Sequence, residues 1–170
     1  MRPDRSISRC IVSAALLLAA SLAHTLEARD PAPQPAVQAV DGKAFDWGTL
    51  RGKVVLVDFW ASWCGPCRQA FPAYDAMAKR HEGDGFVVLG VNVDEQRADA
   101  DRFLKALPVG FTVVFDSGGA APQAYGVKAM PSSYLVGRDG RVRLVHLGFK
   151  PSDADKIEAE VRAALEEKSP

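Results

Sequence analysis

Lys53 to Cys67 reads KVVLVDFWASWCGPC, and the order of its parts decides the fold. The run KVVLVDF (Lys53 to Phe59) is rich in β-branched and aromatic residues, with apolar side chains on both parities. That pattern predicts a strand covered on both faces, as in a parallel sheet. Immediately beyond it, Trp63-Cys64-Gly65-Pro66-Cys67 sets two cysteines apart by two residues. Pro66 suits the first turn of a helix, where its missing N–H costs nothing. Phe71, Tyr74, Met77, Ala78 and His81 follow at helical spacing. Pro72 lies inside that pattern and predicts a kink, because its ring removes one backbone bond.

A dithiol between a strand and a helix has a defined chemistry. One thiolate attacks a disulfide of another molecule, and the second thiol resolves the mixed disulfide. The positive end of the helix dipole favours the thiolate of the first cysteine. Cys64 is therefore the expected exposed nucleophile, and Cys67, one turn inside, the buried resolving thiol. A zinc half-site competes poorly, since structural zinc takes four side-chain ligands and the chain's histidines are His24, His81 and His146, on unrelated segments. An inert staple competes poorly as well, because so short a loop constrains the unfolded chain weakly.

Outward from this segment the pattern alternates. Glu82 to Gly85 break the helix, and Phe86 to Val93 (FVVLGVNV) form a second buried strand. Asp94 is placed to cap a helix with Ala98, Phe103, Leu104 and Leu107 on its apolar side. Pro108 and Gly110 end it, Phe111 to Phe115 form a third strand, and Ala120 to Tyr125 a short helix stopped at Gly126. Ser133 to Val136 and Val142 to Leu147 read as a hairpin around Asp139-Gly140. Ser152 with Asp155 opens a last helix that turns Ile157, Val161, Ala164 and Leu165 inward. The order β-α-β-α-β-α-β-β-α predicts an α/β fold: a mixed sheet with helices on both faces and an antiparallel edge.

The 170 residues are 48% hydrophobic and 25% charged, ordinary for one globular domain. Lysine plus arginine equals aspartate plus glutamate, 21 against 21, so nothing in the charge points to nucleic acid. Three cysteines are too few for a disulfide scaffold.

The first residues form a separate object. Arg2, Arg5 and Arg9 precede the apolar run IVSAALLLAASLA (Ile11 to Ala23), and no charge intervenes before Glu27. This is the pattern of a secretory signal peptide, over residues 1–28, with cleavage after Ala23 or Ala28. A retained N-terminal membrane anchor is the alternative, though the run is shorter than the roughly 20 residues that spanning takes. Cys10 precedes the run and goes with the leader. PAPQPAV (Pro31 to Val37) reads as a proline-rich linker over 29–40, an extended tether before a domain over 41–168.

VDFWASWCGPC (Val57 to Cys67) resembles the active-site segment of thioredoxin, and residues 41–168 resemble the exported TlpA/ResA disulfide reductases. DGKAFDWGTLRGKVVLVDFWASWCGPC is similar to that family's N-terminal hairpin and first core strand. VLGVNVDE (Val88 to Glu95), FTVVFDSGG and YGVKAMPSSYLVGRDGRV (Tyr125 to Val142) are similar to its later segments, and the strand and helix between Asp94 and Asp116 to its central insertion. The resemblance implies a thioredoxin-like fold with Cys64 and Cys67 as the redox pair. It implies that Pro131 is a cis-proline opposite the cysteines, exposing the backbone of Met130 to an incoming polypeptide. Without the resemblance, Pro131 would read as an ordinary trans proline at a strand start. Trp63, Gly65 and Pro66 complete the implied docking surface, with Trp60 as packing. Asp58 matches thioredoxin's buried acid, where desolvation would suit it to take the Cys67 proton. Read alone, it is either neutral and buried or solvated at an edge.

Departures from the family pattern are equally specific. Many relatives carry glutamate where this chain has Ala70, and asparagine where it has Asp58. The lysine that accompanies thioredoxin's buried acid falls at Gly90, and the glutamate common in cytochrome c maturation proteins falls at Ser132. The wiring is thus closer to thioredoxin. The expected function is an exported, periplasmic thiol–disulfide oxidoreductase that reduces protein disulfides as a monomer. Its expected donor is a membrane thiol transporter of the DsbD or CcdA kind, and no cofactor or metal beyond the cysteine pair is needed. Two alternatives use the same residues: a thiol peroxidase, for which Cys64 lacks the usual threonine shortly before it, and a copper chaperone adding His146 to the cysteines.

Overall fold

Val54–Trp60 (β1) has every residue buried, and a strand without an exposed side belongs in the middle of a sheet. In the computed structural model, which describes residues 26–168, β1 takes that place. It is followed by Gly65–His81 (α1), Phe86–Asn92 (β2), Arg97–Ala106 (α2), Thr112–Phe115 (β3), Ala120–Tyr125 (α3), Ser132–Val136 (β4), Val142–Leu147 (β5) and Ala154–Glu166 (α4). The strand order is β3-β2-β1-β4-β5. β1, β2 and β3 are parallel, while β4 and β5 join antiparallel. The architecture is the expected mixed sheet of a thioredoxin-like fold. Helix α1 runs unbroken through Pro72.

Alternation along β1 divides the core. Val55, Val57 and Phe59 point to one face, joined by Leu89, Val91, Val114, Tyr134 and, from α3, Ala121 and Tyr125. Val54 and Leu56 point to the other, beneath Tyr74 and Met77 of α1 and Ile157 and Val161 of α4. Each fully buried side chain of this size contributes about 1.5–3 kcal/mol, so the sheet needs no further staple. At the end of β1, Trp60 meets Phe71 and Phe103 with ring centroids 4.9 Å away in both cases. Phe103 is how α2 of the central insertion is fastened beside α1.

Residues 29–40 are not a tether. Arg29 donates to the Val142 carbonyl and Ala32 to that of Gly140, so this arm pairs along β5. It then crosses the sheet face, where Tyr125 Oη donates to Pro33 O and Trp47 Nε1 to Pro35 O. Finally Gln38 exchanges two backbone bonds with Phe115 of β3. Leu26 and Val37 are buried in the same core cluster. Prolines cannot donate, but their carbonyls accept, and that is how the arm is held. The N-terminal hairpin is short, closed by Ala39 N to Lys43 O and Phe45 N to Val37 O.

Two helix starts differ from expectation. Asp94 does not cap α2, which begins after Gln96 without a side-chain cap. The last helix opens not on Ser152 but through a 3-10 turn, Pro151–Asp153, where Asp153 accepts from the Lys150 amide. The basic and apolar leader, with Cys10 and His24, lies outside the described residues. Among the described residues no helix is long and apolar enough to cross a membrane.

Candidate active site

β1 delivers the chain to the site, and a carboxylate fixes the turn that follows. Asp94 accepts from the amide and the hydroxyl of Ser62, at 2.9 Å each, and from Asn92 Nδ2 at 2.8 Å. Val93 N donates to Trp60 O, and Cys64 N to Ala61 O. The segment between strand and helix is thereby tied to the end of β2. Sequence reasoning missed this role because an aspartate shortly before a helical pattern is also a good cap.

Cys64 is the N-cap of α1, with extended backbone angles, and its Sγ accepts from the Cys67 amide at 3.2 Å. Gly65 and Pro66 occupy the first positions of the helix, where backbone donors have no partner within the helix. Cys64 and Cys67 are joined as a disulfide, with Cα atoms 5.3 Å apart. Cys64 is not the exposed nucleophile that the sequence predicts: it is only 4% exposed, against 0% for Cys67. The aromatic cluster of Trp60, Phe71 and Phe103 closes around both cysteines, with Met130 packed against it. Beside them Trp63 is 70% exposed, and Gly65 and Pro66 are also exposed. Arg68 lies over the Phe103 ring at 4.5 Å.

The Met130–Pro131 peptide is cis, and Pro131 is buried. Its loop is held on both sides, by Ser132 Oγ donating to Ala129 O at 2.7 Å and by Gly148 N donating to Pro131 O at 2.8 Å.

Asp58 is completely buried, not solvated at an edge. Ser133, its register partner on β4, donates from Oγ to Asp58 Oδ1 at 2.8 Å, and Tyr74 Oη lies 2.9 Å from the same Oγ. Asp58 Oδ2 has no partner. Burial pushes the carboxyl up to about 7, against the smaller opposing pull of the Ser133 bond. On the other side of β1 its partner is Gly90, where an added Cβ would lie 3.1 Å from Phe111 and 3.2 Å from Trp60 Nε1. The position of thioredoxin's lysine is thus filled by neighbouring rings. The sequence marks Ser133 and Tyr74 only as a strand position and an apolar helix position; hydroxyls in otherwise apolar runs are the available signal.

His146 of the copper alternative stands on β5 opposite Ser133, with Nε2 3.5 Å from Asp153 Oδ2. Among the described residues no three histidine, cysteine or acidic side chains are grouped to hold a metal ion.

Comparison with known proteins places the chain in a family. Residues 27–165 fit the family described as Redoxin. The thiol-disulfide oxidoreductase ResA of Bacillus subtilis is 32% identical over 117 residues, covering 69% of this chain and 65% of the relative. The chain thus spans slightly under two thirds of that relative's length. ResA of Bacillus cereus is 28% identical over 153 residues, covering 84% of this chain and 87% of the relative. Among solved structures, a Chlorobium tepidum protein described as the thiol:disulfide interchange protein DsbE is 45% identical. It superposes with a TM-score of 0.80 over 83% of this chain and 99% of its own.

Proposed function

Because the chain belongs to the redoxin family, among the ResA-like thiol–disulfide oxidoreductases, we propose that it reduces disulfides of exported proteins through Cys64 and Cys67. The observation that carries this reading is the bond from the Cys67 amide to Cys64 Sγ at the start of α1. A sulfur at that point is stabilised as thiolate by the helix dipole and by a donor already aimed at it.

The steps balance. In the reduced protein the Cys64 thiolate attacks a sulfur of the target disulfide; that bond breaks, a target thiolate leaves, and a Cys64–target disulfide forms. Cys67 then gives its proton to Asp58 and attacks Cys64 Sγ, expelling the second target thiolate. The target gains two electrons and the protein is left with the Cys64–Cys67 disulfide. Asp58 suits the middle step, since a base whose carboxyl titrates near 7 can take a proton at neutral pH and release it again. The electrons reside in the cysteine pair, so the reaction calls for no other cofactor.

The target docks across the exposed Trp63, Gly65 and Pro66 and along the backbone of Met130 before Pro131. Ser132 stands where cytochrome c maturation specialists commonly carry glutamate, which favours general protein disulfides as clients over apocytochrome c alone. Export follows from the leader, with cleavage after Ala23 retaining the buried Leu26. A reductant in an oxidising compartment needs a supply of electrons, for which a membrane thiol transporter of the DsbD or CcdA kind is the donor. The chain acts as a monomer.

Equilibration with glutathione tests the direction. The expected result is a potential below that of the glutathione couple, so that the reduced protein reduces oxidised glutathione. A protein that is itself fully reduced by glutathione under the same conditions is an oxidant, and the proposed role fails.

A further inference from the structure

The unused polar groups around Asp58 form a chain with one direction. A serine hydroxyl has a single proton, and that of Ser133 goes to Asp58 Oδ1. Its oxygen therefore accepts from Tyr74, so the order is Tyr74 Oη to Ser133 Oγ to Asp58 Oδ1. The three residues come from α1, β4 and β1, and each is at most 1% exposed. Buried hydroxyls are costly unless bonded, and an apolar pair would fill the same space at less cost. Here both hydroxyls serve one carboxyl oxygen, and Oδ2 is left without a partner.

We propose that Tyr74 and Ser133 are positioning residues for the resolving step: they pin Oδ1 of Asp58, reserve Oδ2 for the proton of Cys67, and stabilise the ionised carboxylate. The inference deepens the proposed function and rests on Asp58 being the base. Cys67 and Tyr74 stand two turns apart on α1, both wholly buried on the side facing the sheet. A donor chain ending on one oxygen prevents the carboxyl from turning and polarises each bond in it. The other groups around Asp58 do not supply a compensating charge. β2 contributes Gly90 in register, and β4 contributes Ser133. Burial first, then the Asp58 carboxylate, push the Tyr74 phenol up, with a smaller push from Asp153 of the 3-10 turn, whose Oδ2 lies 3.5 Å from His146 Nε2 of β5. The chain thus offers two neutral donors where thioredoxin has a lysine.

The test is the titration of the Asp58 carboxyl, followed by carbon NMR in the oxidised full chain, where Cys67 does not titrate. Ser133→Ala is expected to move the midpoint up by about one pH unit or more, as loss of a hydrogen bond to a charged group requires. Tyr74→Phe is expected to move it up by roughly half as much, since it removes only the second donor. Ser133→Thr, which keeps the hydroxyl, restores the wild-type midpoint. The pH profile of mixed-disulfide resolution moves in parallel with the titration. A merely structural role would lower stability without moving either curve. Wild-type midpoints in folded Ser133→Ala and Tyr74→Phe overturn the inference. Failure of the underlying reading shows separately: Asp58→Asn would then resolve mixed disulfides at the wild-type rate, whatever the midpoints do.

Discussion

The Cys67 amide donates to Cys64 Sγ across 3.2 Å, while the sulfur of Cys67 lies wholly inside the protein. The two cysteines are therefore unequal before any substrate arrives. In the proposed reaction one is stabilised as an anion by the helix start, and the other must be deprotonated in a medium that opposes charge. Cys64→Ser is accordingly expected to abolish reduction of insulin disulfides by the dithiothreitol-fed protein, down to the rate of dithiothreitol alone. Turbidity from the released insulin chain is the readout.

In the proposed reaction Asp58 sets the speed of the second step. Asp58→Asn is expected to slow release of the target from its mixed disulfide at neutral pH by about 100-fold, the lower range for a general base. In the wild type this rate is expected to rise through about pH 7 as the carboxyl ionises. In the variant that rise is absent. Stopped-flow measurement across pH 5 to 9 checks both, and an unchanged rate removes Asp58 from the mechanism.

The same carboxyl makes folding pH-dependent. Its titration is raised from 3.8 to about 7, so between those values the folded state holds a proton that the unfolded state has lost. Stability therefore falls as pH rises from about 4 to about 7 and levels off above, by up to ~4 kcal/mol. Asp58→Asn removes that fall and is the more stable protein at pH 8. Glu158 works in the opposite sense: Arg80 holds its carboxyl down at about 2, so its contribution is lost only as pH falls below about 4.5. Urea unfolding between pH 5 and 8 isolates the Asp58 effect.

The arm is part of the domain. Val37→Ala is expected to cost about 2 kcal/mol in urea unfolding, from lost transfer energy and the cavity left behind. A free tether would show no change.

How much was legible in the sequence varies with the physics involved. β1 announces itself because apolar residues on both parities have only one stable environment, a strand covered on two sides. The hairpin at Asp139-Gly140 is equally clear, since Gly140 adopts φ 76°, a conformation glycine enters freely. Cys64 and Cys67 are local, and their place between a strand pattern and a helical pattern puts them at a helix start. Residues 29–40 pack where the sequence predicts a tether, because proline-rich composition shows what a segment cannot donate and not what its carbonyls can accept. Asp94 satisfied a local rule for capping, yet its partner Ser62 lies 32 residues earlier. The bonds of Tyr74 and Ser133 span 59 and 75 residues, beyond the reach of any periodicity. Cys64 was expected in solvent because reactivity suggests exposure. The aromatic rings that cover it come from β1, α1 and α2, which only the fold brings together.

The unequal roles of the two sulfurs are tested most directly by brief alkylation of the fully reduced protein with limiting iodoacetamide at pH 7, followed by peptide mass spectrometry. Label on Cys64, with Cys67 unmodified, is the predicted result. Label first on Cys67 would contradict the account.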